Sequence, residues 1–83
     1  MKRPLPYEAM LDAVMTLERA VLGHAIMDDS GQSAGLLCAT LRDGDFLGGL
    51  NRATFAALRR ILGRGVTVLD YAMIISELQA SGL

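Results

Sequence analysis

Several things are scarce in this 83-residue chain, and each scarcity excludes a class of chemistry. There is one lysine, Lys2. A phosphate-gripping P-loop needs a Lys before Ser or Thr at the end of a glycine-rich turn, so nucleotide hydrolysis by that route is excluded. There is one cysteine, Cys38, which rules out an internal disulfide and fits a reducing, cytoplasmic setting. His24 is the single histidine, and neither it nor Cys38 has partners at metal-ligand spacing. The longest unbroken apolar run, Tyr71 to Ile75, is far short of the roughly 20 residues that span a bilayer. Pro4, Pro6 and Glu8 follow Lys2 and Arg3, so no secretory signal is visible. Net charge is −1, which gives no global electrostatic reason to bind nucleic acid. No cofactor is implied, and no nucleophile and base stand at a recognisable spacing.

What is present in quantity is apolar surface, at 52% of residues. A domain this small cannot hide all of it, so a face for a partner or for a second copy is expected. Both prolines fall in the first six residues. The rest is rich in Ala, Leu, Met and Arg, which favours helices. Residues 1–6 read as an extended lead-in and 7–83 as one helical domain.

From Tyr7 to about Met27, polar Glu8, Asp12, Thr16 and Arg19 recur at spacings of four and three. Met10, Val14, Leu17 and Val21 recur opposite them, widened by Leu11, Met15, Leu22 and Ile26. The period is near 3.6, which predicts a long amphipathic helix with that stripe against the core. Asp28-Asp29-Ser30-Gly31 has turn chemistry. A shorter helix is expected over about Gln32 to Leu41, with Ala34, Leu37, Cys38 and Leu41 on one side. Arg42 to Leu50 reads as a loop whose Phe46, Leu47 and Leu50 pack down. Asn51 is the expected N-cap of a helix from Arg52 to Leu62, which carries the stripe Phe55, Leu58 and Leu62. Gly63 and Gly65 offer its stop. Thr67 to Asp70 resembles a capping box, with Thr67 as the cap. A last helix then runs from Val68 to about Ala80, with Ala72, Ile75, Leu78 and Gln79 on one side and Gly82 beyond it. The fold class is all-α, a small bundle of four to six short helices, and Val21, Leu22, Phe46, Phe55, Leu58, Ile75 and Leu78 are its candidate core.

The candidate binding residues are few. Arg52, Arg59, Arg60 and Arg64 have no acidic residue among them, which suits a phosphate or an acidic partner, or simply a solvated helix face. Met73 is expected on a stripe facing water, where its adaptable side chain is either a contact point or partly covered. His24, at the edge of the apolar stripe, is either a pH-sensitive contact or a partly buried hydrogen-bonding group. Asp28-Asp29 and Asp43/Asp45 suit a cation or, more commonly, turn formation.

Several of these residues together resemble the N-terminal domain of DnaB-type replicative DNA helicases. Glu18-Arg19-Ala20-Val21-Leu22-Gly23, ending at Asp28, is similar to that family's first core helix. Asp45-Phe46, Phe55, Gly65, Leu69-Asp70, Leu78 and Gly82 follow at similar spacing, and Leu5-Pro6 resembles its entry. Val68 stands where the family usually has a Pro. The resemblance covers Leu17 to Leu83 and implies a helical bundle that self-associates and contacts helicase, primase or a helicase loader. It implies no enzyme activity, because the family's ATPase lies in a separate domain. The helical hairpin through which the family's domains pair is absent, so the resemblance implies either a helicase fragment or a stand-alone phage or plasmid protein that modulates the host helicase. A small helical DNA-binding regulator, reading DNA with the four arginines, is the alternative.

Overall fold

The computed structural model describes residues 6–28, 30–66 and 68–82, and all regular structure among them is helical. Four α-helices follow in order: α1 (Pro6–Met27), α2 (Gln32–Thr40), α3 (Gly49–Gly63) and α4 (Tyr71–Ala80), with a single 3₁₀ turn at Asp43–Asp45 between α2 and α3. The expected lead-in over residues 1–5, the turn residue Asp29 and the expected cap Thr67 lie outside the described residues. Pro6, assigned to the lead-in, instead opens α1, where a missing N–H costs nothing.

The core forms around α3. Its apolar face, Phe55, Leu58 and Ile61, is completely buried and meets α1, α2 and α4 in turn. One cluster joins Ala25 and Ile26 of α1, Ala34 of α2, Leu58 and Ile61 of α3, Leu69, and Ile74 of α4. A second joins Leu22, Phe46 and Phe55, with the two rings 4.8 Å apart and tilted by 33°. Aromatic pairs in such tilted geometries add roughly 1 kcal/mol to simple burial. Leu78 is partly buried and packs on the first cluster.

Two expected core residues are corrected. Val21 is 45% exposed and Ile75 is 53% exposed. On α1 the inward side is Leu22, Ala25 and Ile26, about a quarter turn round from the expected stripe, so Met10, Leu17 and Val21 look outward. On α4 the inward residue is Ile74, flanked by Met73 and Leu78. Met73 is therefore partly buried against the core, not on a water-facing stripe.

The helix starts are also corrected, and each has a local cause. The α4 helix begins at Tyr71 because Asp70 is its N-cap, accepting the Met73 amide at 2.8 Å. The α3 helix begins at Gly49, with Gly48 as N-cap, so Asn51 lies inside its first turn. The expected stop after α3 is present: Gly65 takes φ +87°, a left-handed backbone that a side chain would strain.

Candidate interaction surfaces

Glu18 connects α1 to the start of α3. One carboxylate oxygen accepts the Leu47 amide at 2.7 Å, and the other accepts the Gly48 amide at 3.2 Å. Asn51 Nδ2 donates to Glu18 Oε1 at 3.2 Å and to the Met15 carbonyl at 3.0 Å. A carboxylate from one helix thus supplies the negative charge that the N-terminus of another favours. Close approach makes this possible, since a Cβ on Gly48 would lie 3.0 Å from the Asn51 amide nitrogen and 3.4 Å from the Met15 sulfur. Burial alone would raise the pKa of Glu18. The Leu47 and Gly48 amides, with Asn51 and Arg52, outweigh it and leave the pKa below the ordinary value.

The four candidate arginines do not form a free cationic patch. Arg52 donates through Nε and Nη2 to the Phe46 carbonyl, at 3.3 and 2.9 Å, which ties down the segment before α3. Arg59 places Nη2 3.3 Å from both Asp43 oxygens and stacks 5.8 Å over the Phe55 ring. Arg60 and Arg64 both hold Glu77, each with a nitrogen 2.9 Å from a carboxylate oxygen. Their hydrogen bonds and charges hold the Glu77 carboxyl down at about 2. Asp43 and Glu77, distant in sequence, supply the negative charge that the stretch from Arg52 to Arg64 lacks. The arginines keep solvent-facing atoms, but their strongest partners are internal.

Asp28 is a capping residue rather than half of a cation site. It accepts from the Ser30 amide and hydroxyl and from the Ser33 amide, at 2.8 to 3.1 Å. Those bonds place its pKa far below the ordinary value. Asp45 likewise accepts the Arg42 amide at 2.8 Å across the 3₁₀ turn. Burial pushes the Cys38 thiol up, partly offset by Arg59 and reinforced by Asp43, so the reactive thiolate is disfavoured. Among the described residues, no group of three or more His, Cys, Asp or Glu side chains could hold a metal ion. No helix among them is long and apolar enough to cross a membrane.

One unassigned feature is the outer side of α1. Tyr7, Met10 and Leu17 are 65%, 56% and 65% exposed, and all four residues from Tyr7 to Met10 are exposed. Further along, Leu17, Ala20, Val21, His24 and Ala25 join Ser33 and Leu37 of α2 to line a groove of about 290 Å³. That is roughly ten times the ~30 Å³ share of one water. His24 is exposed on its rim, so of the two readings offered by the sequence the buried one does not apply.

Neither protein-family models, nor curated proteins, nor solved structures give a match to this chain. The likeness to the helicase N-terminal domain therefore rests on the residues that carry it. The sequence reading missed Glu18, Asp43 and Glu77 as organising carboxylates. A signal existed for Glu18, which stands alone between the apolar positions Met15 and Leu22 on the side of α1 that turns inward.

Proposed function

We propose that this chain is a non-catalytic protein–protein interaction domain of the DNA replication machinery. On this reading it is similar to the replicative helicase N-terminal domain and binds helicase, primase or helicase loader. The observation that carries the interaction role is the outer side of α1, where Tyr7, Met10, Leu17 and Val21 stay 45 to 65% exposed and the last two help to line an apolar groove against α2. Contiguous apolar surface is costly in water and marks an interaction site when it persists in a folded domain. The partner class comes from the resemblance. The DNA-binding alternative loses ground, because Arg59, Arg60 and Arg64 are engaged by Asp43 and Glu77.

Pull-down and calorimetric titration against purified replicative helicase, primase and loader test this reading. Binding to one of them, lost in a Leu17→Glu variant, is the expected result. Absence of binding to all three overturns the assignment to replication.

A further inference from the structure

The flank of α1 opposite its outer face carries a second groove, which runs beside the starts of α3 and α4. It consists of three hollows of about 310, 300 and 220 Å³ that share their walls. The first and second have Arg19, Leu50 and Asn51 in common, and the second and third have Ile26 and Tyr71. The α1 lining extends from Asp12 to Met27, a length of about 22 Å at the helical rise. Three features of this groove specify an occupant.

The groove is apolar below and open above. Leu22 and Ile26, both buried, line the middle hollow, while Leu50, Tyr71 and Met27 stand exposed around the groove. Gly23 keeps the middle hollow open. A Cβ there would already meet the Tyr71 hydroxyl at 3.7 Å, so a longer side chain would fill the space.

Two polar groups at the middle hollow are unused. Among the described residues, the Arg19 guanidinium and the Tyr71 hydroxyl have neither a hydrogen-bond nor an ion-pair partner, and both residues line that hollow. Arg52, Arg59, Arg60 and Arg64 are all engaged inside the chain. Glu18, next to Arg19 in sequence, is taken up by the Leu47 and Gly48 amides. A guanidinium fork and a phenolic hydroxyl over an apolar floor suit one carboxylate with apolar groups beside it.

The charges along the groove alternate. Asp12 stands in the first hollow, about 10 Å from Arg19 along the helix, and Asp70 stands in the third. One cation between two acids repels a polyanion, such as a nucleic-acid backbone, and favours a single negative charge at the centre. A small molecule would fill one hollow only. An extended chain rises about 3.3 Å per residue, so about seven residues follow the groove from end to end.

We propose that this groove binds a short segment of another protein. One Asp or Glu of that segment sits on Arg19 and Tyr71, and apolar side chains on either side enter the hollows. The site is separate from the outer face of α1 and does not depend on it.

Panning a phage-displayed library of random peptides of about 12 residues against the whole chain tests the proposal. Recovered peptides should carry one acidic residue flanked by apolar ones. In fluorescence anisotropy, Arg19→Glu should weaken a recovered peptide on the order of 30-fold, and so should an amide in place of its acid. Tyr71→Phe should weaken it about threefold. Panning against Arg19→Glu should select Lys or Arg in place of the acid. Leu17→Glu, on the opposite flank, should leave binding unchanged. Arg19 and Leu17 are exposed, so circular dichroism should show unchanged helix in both variants. Recovery of no peptide overturns the proposal, as do peptides that lack an acid or are indifferent to Arg19→Glu. Binding lost in Leu17→Glu but kept in Arg19→Glu overturns this groove and supports the outer face instead.

Discussion

The α1 and α3 helices, of 22 and 15 residues, use their apolar residues in different ways. In α3, every large apolar residue from Phe55 to Ile61 is buried, and the opposite side carries arginines held by Asp43 and Glu77. Over that stretch the helix is satisfied within one molecule, and its exposed apolar side chain, Leu50, lies in the first turn. In α1, the buried Leu22 and Ile26 are matched by an outer Leu17, Val21 and Met10 of similar bulk that the described residues leave 45 to 65% exposed. Folding consumes one side of α1 and leaves the other. The contrast separates the residues that hold the domain together from those available for recognition, and it predicts that the two helices respond differently to substitution.

The largest effect belongs to α3. Phe55 is fully buried against Phe46 and beneath Arg59. Phe55→Ala should cost about 4 kcal/mol, which is most of the stability of so small a domain, and thermal melting by circular dichroism should show loss of the cooperative transition. Next comes the link between the helices. Glu18→Ala leaves the Leu47 and Gly48 amides without their carboxylate and should cost about 2 kcal/mol in chemical denaturation, with Gln recovering part of it. The cap of α4 is smaller, and Asp70→Ala should cost about 1 kcal/mol.

Acid should act through the same carboxylates. Glu18, Asp28 and Glu77 each hold their proton more weakly in the folded chain than in the unfolded one. Their contribution to stability is complete above the ordinary values of 4.5 for Glu and 3.8 for Asp. It drains away as pH falls, down to about 2 for Glu77. Denaturation midpoints should be flat from pH 7 to about 5.5 and drop steeply by about 3. The part due to Glu77, whose arginines are exposed, should shrink in high salt, whereas the Glu18 part should persist. The smallest stability effect is expected on the outer face of α1. Leu17→Glu should leave stability within ~0.5 kcal/mol while removing partner binding.

The helical segments were legible, as four to six, because prolines are confined to the start and most glycines fall between periodic segments. The buried positions Phe55 and Leu58 of α3 were legible because its arginines mark the solvent side, whereas the third buried residue is Ile61 and the expected Leu62 is only partly buried. The corresponding reading failed on α1 for a physical reason. The polar residues Glu8, Asp12, Thr16 and Arg19 show only which side is wet, and the helix is apolar over most of the remainder. Setting the core directly opposite them selected Val21, whereas Glu18 reaching α3 turns Leu22 inward. The run from Tyr71 to Ile75 is apolar at every position and carries no phase. The cap at Asp70 and the reach of Glu77 to Arg60 and Arg64 decide that Ile74 is buried and Ile75 is not. Asn51 is a good capping residue, but the carboxylate that organises the start of α3 comes from Glu18, 33 positions away from Asn51. Long-range pairs of this kind, with Asp43–Arg59 and Glu77–Arg60, also explain why the arginine cluster looked free in the sequence and is partnered in the fold.

Amide hydrogen exchange measured without and with the replication partner that the chain binds tests most directly the claim that α1 has one side for folding and one for recognition. The amides of α1 should become more protected when the partner is added, while those of α3 stay equally protected in both. Unchanged protection of α1 with the partner bound, or new protection centred on α3, would contradict that division of roles.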